Sequence, residues 1–246
     1  MKNKKGKKLV VLGAMAALLT LIGVSGSQTY AKYVENAEVG TQVATVAKWG
    51  FVITGDSSEL FANKHQKDAV NGSTKHQGGA GVLVTAEAGS EIVAPGTSGK
   101  ITFGVSGVAE VRSKLTFTVS TNLEITLLED DGLGNKTALY KPVLWTLKEV
   151  NSLTPLVENS EDFQDIETAL EGLNSTFSPN TTVNATYELS YSWPFDLSVH
   201  AHSNNTYDTY IGKLANGYTG EAVPSNLSII DTLSFSIGVS IEQVQI

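Results

Sequence analysis

The chain has 246 residues, with 17 Lys or Arg against 25 Asp or Glu, a formal net charge of −8 and no cysteine. The acidic balance disfavours nucleic acid as a partner, because a polyanion needs a cationic face. The missing cysteines exclude disulfides, thiol nucleophiles and thiolate-bound metals. With 41% hydrophobic and 17% charged residues, the composition is that of a globular protein, long enough to enclose its core in one domain.

Residues 1–8 hold five lysines, and residues 9–24 follow without a single charge. Small and polar side chains at 25–29 then lead to Tyr30 and Ala31. This order is that of a signal peptide, residues 1–31, cleaved between Ala31 and Lys32 by a signal peptidase. Sixteen uncharged residues interrupted by Gly13 and Gly23 fall short of the ~20 that cross a bilayer. The expectation is therefore secretion, with no stable membrane anchor after cleavage. Removing the five leader lysines from the 17 basic residues leaves 12 against 25 acidic ones, a net charge of −13.

Residues 32–246 then read as one domain of strands, mostly with period two. Val43, Thr45, Ala47, Trp49, Phe51 and Ile53 fall on one face of a first strand. The polar, Gly-rich stretch 55–81 reads as a long surface loop, with His65 and His76 exposed in it. Residues 82–85 form a short strand candidate, followed by the alternating sets Ile101, Phe103, Val105 and Leu115, Phe117, Val119. Residues 124–128 and 143–150 are further candidates. Turn chemistry separates these runs at Pro95-Gly96, Asp131-Gly132, Ser178-Pro179-Asn180 and Asn216-Gly217. The insertion 151–180 holds an amphipathic helix, with Ser160 as N-cap, Phe163, Ile166, Leu170 and Leu173 on one face, and Gly172 near its end. Tyr187, Leu189, Tyr191 and Trp193 make a clear strand, as do Leu233, Phe235, Ile237, Val239 and Ile241. Many strands without interleaved helices predict an all-β antiparallel sandwich or barrel.

Several segments resemble one family. Thr29-Tyr30-Ala31 followed by Lys32-Tyr33-Val34 is similar to leaders of the TasA/camelysin family of exported Gram-positive surface and biofilm-matrix proteins. The run Ala94-Pro95-Gly96-Thr97-Ser98-Gly99-Lys100-Ile101-Thr102-Phe103, continuing through Gly107 to Leu115, resembles that family's strand entry. Asp231-Thr232-Leu233-Ser234-Phe235, closing on Glu242-Gln243-Val244, resembles its last core strand. Trp193-Pro194-Phe195 with Asp208-Thr209-Tyr210-Ile211-Gly212 is similar to surface proteins of clostridia-like bacteria. The resemblance implies a jelly-roll-like β-sandwich with one short helix. It also implies an extracellular fibre, in which each subunit donates its N-terminal strand to the next copy or to a related matrix protein. Residues 32–54 would be that strand, with Val43, Ala47, Trp49 and Phe51 as pocket fillers. Alternation alone leaves it open whether the segment is donated or pairs within its own sandwich.

Chemistry-bearing constellations are few. His200-Ala201-His202 would put two imidazoles on one face of a strand, with Asp208 as a candidate third metal ligand. The polar surroundings and the lack of a spacing that fixes a third ligand favour a solvated pair instead. Camelysin carries a metalloprotease label, but no HExxH is present, so a metallo-endopeptidase is the weaker alternative. Glu129-Asp130-Asp131 lacks the alternating ligands of a calcium loop and reads as a charged turn. Neither GxSxG nor a phosphate loop occurs, so no enzyme activity and no cofactor are expected. The remaining alternative is a monomeric carbohydrate- or surface-binding module with Trp193, Tyr207 and Tyr210 as an aromatic platform.

Overall fold

The computed structural model describes residues 47–55, 60–62, 64–66, 77–78, 83–85, 91–194, 204–218 and 222–245. The chain divides into two compact units, Met1–Trp49 and Gly50–Ile246, and the elements below, apart from the first residue of β1, build the second. They are β1 (Trp49–Gly55), β2 (Lys64–Gln66), β3 (Gln77–Gly78), β4 (Leu83–Thr85), β5 (Thr97–Ala109), β6 (Ser113–Leu123), β7 (Thr126–Asp130), β8 (Lys136–Tyr140), β9 (Leu144–Glu149) and β10 (Val157–Ser160). After these come α1 (Phe163–Glu171), β11 (Ser175–Phe177), β12 (Thr182–Ser192), α2 (Asn205–Ala215), β13 (Leu227–Ile230) and β14 (Ser234–Gln243).

The architecture is an all-β, jelly-roll-like antiparallel sandwich. Its main sheet has the order β1-β5-β12-β9-β10, with β3 also on β5, and the sheet facing it has the order β11-β6-β14. A third sheet, β13-β7-β8, and the pair β2-β4 complete the strands. β5 and β12 run antiparallel from Ser98↔Ser192 to Val108↔Thr182, which makes this ladder the backbone of the main sheet. Three residues, 110–112, carry the chain from β5 into β6 in the opposite sheet. The Ser113 hydroxyl donates to the Val111 carbonyl at 3.0 Å and holds that corner.

Period-two alternation delivers the core as expected. Phe103 and Val105 of β5, Leu115 and Phe117 of β6, and Val183, Tyr187, Leu189 and Tyr191 of β12 are all buried. Their rings interdigitate between the sheets, Phe117 lying edge-on to Tyr187 at 5.5 Å and Trp145 to Phe235 at 5.7 Å. Trp145 meets Phe163 of α1 edge-on at 4.7 Å, so the helix closes the same core. Each such side chain contributes roughly 1.5–3 kcal/mol by burial alone.

Four expectations are corrected. The N-cap of α1 is Asp162, whose side chain accepts from the Gln164 N–H, not Ser160. The Ser160 hydroxyl, two residues before that cap, instead donates to Asp165 Oδ2 at 2.6 Å. A second helix, α2, capped by the Asn204 side chain, was hidden by the Asn-rich, polar look of its start. The strand expected from Val43 is described from Trp49, and residues 41–46 lie outside the described residues. Stretch 55–81 is no continuous loop, since it contributes β2 and β3. Within it His65 is fully buried rather than exposed, and its Nε2–H donates to the Ile92 carbonyl at 2.9 Å. Among the described residues no helix is long and apolar enough to cross a membrane.

Candidate functional site

The two exposed flanks of the facing sheet differ in kind. On one side β11 covers the start of β6, pairing Phe177↔Ser113 to Ser175↔Leu115. Beyond β11 two of the N–H groups that β6 turns to this flank are taken by side chains. Asn174 Oδ1 accepts from the Phe117 N–H at 2.7 Å, and Glu167 Oε1 of α1 accepts from the Thr121 N–H at 2.7 Å. Helix α1 lies along this flank, with Phe163, Ile166 and Leu170 turned to the core and Glu167 turned to the strand. Along β6 beyond β11, the helix and these two side chains occupy the place a further strand would take.

The other flank is β14, ten residues long and paired to β6 along its whole length. Among the described residues no strand lies on its outer side. The Val244 N–H donates to the Arg112 carbonyl at 3.0 Å, which sets the phase of the ladder, since bonding alternates residue by residue. Even-numbered residues bond β6, whereas Phe235, Ile237, Val239, Ile241 and Gln243 turn N–H and C=O outward. The side chains of Phe235, Ile237, Val239 and Ile241 are only half-buried against the core. The strand SFSIGVSIEQ holds no Lys, Arg or Pro, and Glu242 is its one charge. Its only interruption is a register shift at Ser234/Phe235, so from Phe235 to Ile241 it carries neither charge nor proline to blunt the edge.

At one end of the main sheet the outermost strand is β1, and at the other it is β10. Of the four candidate pocket fillers, Trp49 and Phe51 lie on β1, Ala47 lies just before it, and Val43 is outside the described residues. Phe51 is half-buried, while Trp49, Val52 and Ile53 are exposed. β1 neighbours β5 in the same chain, and Gly107 permits the contact. Its φ is +136°, and a Cβ there would overlap the Gly50 carbonyl oxygen and the Phe51 Cα, so only glycine lets the two backbones approach. The cleavage candidates Ala31 and Lys32 lie outside the described residues.

No family model, curated protein or solved structure matches the chain. What it can do is read from its own side chains.

Asp208, the candidate third ligand, sits on α2 and is buried. Its Oδ1 accepts from Trp193 Nε1 at 2.9 Å and from the Tyr140 hydroxyl at 3.2 Å. Burial first, then the charge of Asp208, push the Tyr140 phenol far above its usual value. His200 and His202 lie outside the described residues, and among the described residues no three His, Asp or Glu side chains gather as a metal site would need. The aromatic platform does not form as expected. Trp193 is 3% exposed, so its ring faces protein, and Tyr207 stacks obliquely on Tyr140 at 5.6 Å. The acidic run is a hairpin turn: Asp131 accepts from the Leu133 and Asn135 N–H groups and from the Asn135 side-chain amide. The last of these bonds does most to hold its carboxyl below the usual range.

Two functional elements escaped the sequence. Glu167 and Asn174 looked like surface residues of a helix and its exit, because which strand a polar side chain satisfies is a long-range fact. The phase of β14 likewise depends on its pairing with β6, more than a hundred residues earlier.

Proposed function

We propose that this protein is an exported structural component of a bacterial surface or biofilm matrix, in which an N-terminal strand of one copy adds to an open sheet edge of the next. The observation that carries this reading is the outer edge of β14, unpaired among the described residues, where five of its ten residues turn N–H and C=O outward. A strand laid there gains main-chain hydrogen bonds and covers the half-buried row Phe235, Ile237, Val239 and Ile241. The donor is the segment that begins at Lys32, freed by cleavage after Ala31, and its resemblance to TasA/camelysin leaders supports the same assignment. Head-to-tail addition does not close on itself and so propagates as a filament.

The test is size exclusion with negative-stain electron microscopy on the chain beginning at Lys32 and on one lacking residues 32–46. Filaments from the first and a folded monomer from the second are expected. A persistent monomer from the longer chain overturns the reading.

A further inference from the structure

A second feature lies on the outer face of the main sheet. Where β5, β12, β9 and β10 run side by side, their outward side chains enclose a cleft of about 330 Å³ open to solvent, within the ~300–1,000 Å³ range of small-ligand pockets. Register fixes its layout. Ser190 on β12 lies between Lys100 of β5 and Thr146 of β9, and Glu188 lies opposite Lys148 of β9. Asn159 of β10 closes one side in a left-handed conformation (φ 49°), its N–H donating to Thr146 Oγ1 at 3.1 Å.

The charge arrangement is specific. Glu188 is held at both oxygens, Oε2 by Lys100 Nζ at 3.0 Å and Oε1 by Lys148 Nζ at 2.9 Å. Two cations therefore share one carboxylate, leaving a surplus positive charge on a molecule that is acidic overall. Each ammonium has three donors and spends one on Glu188. Hydroxyl and amide groups make up most of the remaining lining, Ser98, Ser190, Thr146 and Asn159 among them, with Leu144 and Tyr191 also at its wall. Tyr191, the aromatic side chain at the cleft, is 1% exposed and offers no open ring face, which argues against a flat apolar ligand. A bare inorganic anion would leave the hydroxyl floor unused.

We propose that this cleft binds an anionic saccharide, a sugar ring carrying a carboxylate. Its ring hydroxyls meet Ser190, Thr146 and Asn159, and its carboxylate takes the spare donors of Lys100, while Lys148, held by Glu188 beside the cleft rather than in its lining, adds positive charge. The site is separate from the β14 edge, so it stands whether or not the protein forms filaments.

The experiment is calorimetric titration of the protein, purified as exported, with uronate trisaccharides of the galacto, gluco and manno series. The same sugars with each carboxylate reduced to the alcohol serve as neutral controls. At least one uronate is expected to bind one-to-one, more tightly than its neutral counterpart, and to weaken as salt is added. Lys100→Gln should weaken binding about tenfold or more, the worth of a charged hydrogen bond, and Lys100→Arg should restore most of it. Lys100 is exposed enough that an unchanged thermal midpoint will verify the fold of both variants. Failure of all three uronates to bind overturns the proposal. So does binding that Lys100→Gln leaves unchanged, or equal affinity for the neutral sugars.

Discussion

Glu124 shows how much one side chain organises. Its Oε1 accepts from Trp145 Nε1 and from the Phe163 N–H, both at 3.2 Å, and its Oε2 accepts from Lys141 Nζ at 2.8 Å. It thus satisfies the largest core side chain, the first turn of α1 and a half-buried lysine together. Glu124→Ala removes the acceptor of the Trp145 and Phe163 N–H groups, while Lys141 keeps Asp162 at 3.5 Å, and should cost about 2–3 kcal/mol, read as a lower urea midpoint with an unchanged slope. Tyr191 makes a pH prediction. Burial pushes its phenol up to about 12, against about 10 in an unfolded chain. The fold holds it neutral, so its contribution is complete below pH 10 and is lost as pH rises from 10 to 12, at about 1.4 kcal/mol per pH unit. Tyr191→Phe should make the loss of stability over that window shallower than in the parent, measured by urea unfolding at each pH. Burial raises Tyr140 and Tyr187 as well, so some alkaline loss remains.

At the scale of elements, the contrast between the two flanks of the facing sheet carries the argument. If Glu167 and Asn174 exist to close one flank, Glu167→Ala with Asn174→Ala should free the Phe117 and Thr121 N–H groups. The double variant should then lose about 2 kcal/mol and associate sideways, seen as raised light scattering at concentrations where the parent stays clear. On the open flank, Val239→Pro removes an outward N–H while leaving every bond to β6 in place, a substitution that edge strands tolerate. It should yield a folded protein that no longer assembles. Elements such as β5, β6, β12 and β14 were legible in the sequence because a half-buried strand writes its two faces into alternating residues. β8, β10, β11 and β13 were not, being three to five residues long with too few positions for a period to register. Helix α2 was legible only in part: Tyr207, Ile211 and Leu214 have helical spacing, but Gly212 and the preceding Asn204-Asn205 suggested a loop.

For the whole molecule, what the sequence could not convey is which surfaces are closed and which are open. The hydrophobic row of β14 reads as core, and most of it does pack on the core, yet among the described residues the same strand is the last of its sheet. His65 teaches the converse, since a polar neighbourhood in sequence concealed a buried ring bonded to Ile92 across 27 positions. Trp193 and Asp208 were singled out as ligand-facing and instead bond each other, a pairing that ties the end of β12 to α2. Function, in this account, resides in an edge rather than a pocket of catalytic groups. Assembly should therefore depend on main-chain groups, and replacing the outward Ser236 or Ser240 by Ala should leave it within a factor of about two.

The decisive measurement is residue-resolved amide exchange on β14 in the assembled and the monomeric protein. In the monomer the even-numbered amides, bonded to β6, should be protected, while those of Phe235, Ile237, Val239, Ile241 and Gln243 exchange quickly. On assembly these five should become protected together, the signature of a strand added along the outer edge. Assemblies in which the five still exchange at the monomer rate would contradict strand addition at β14.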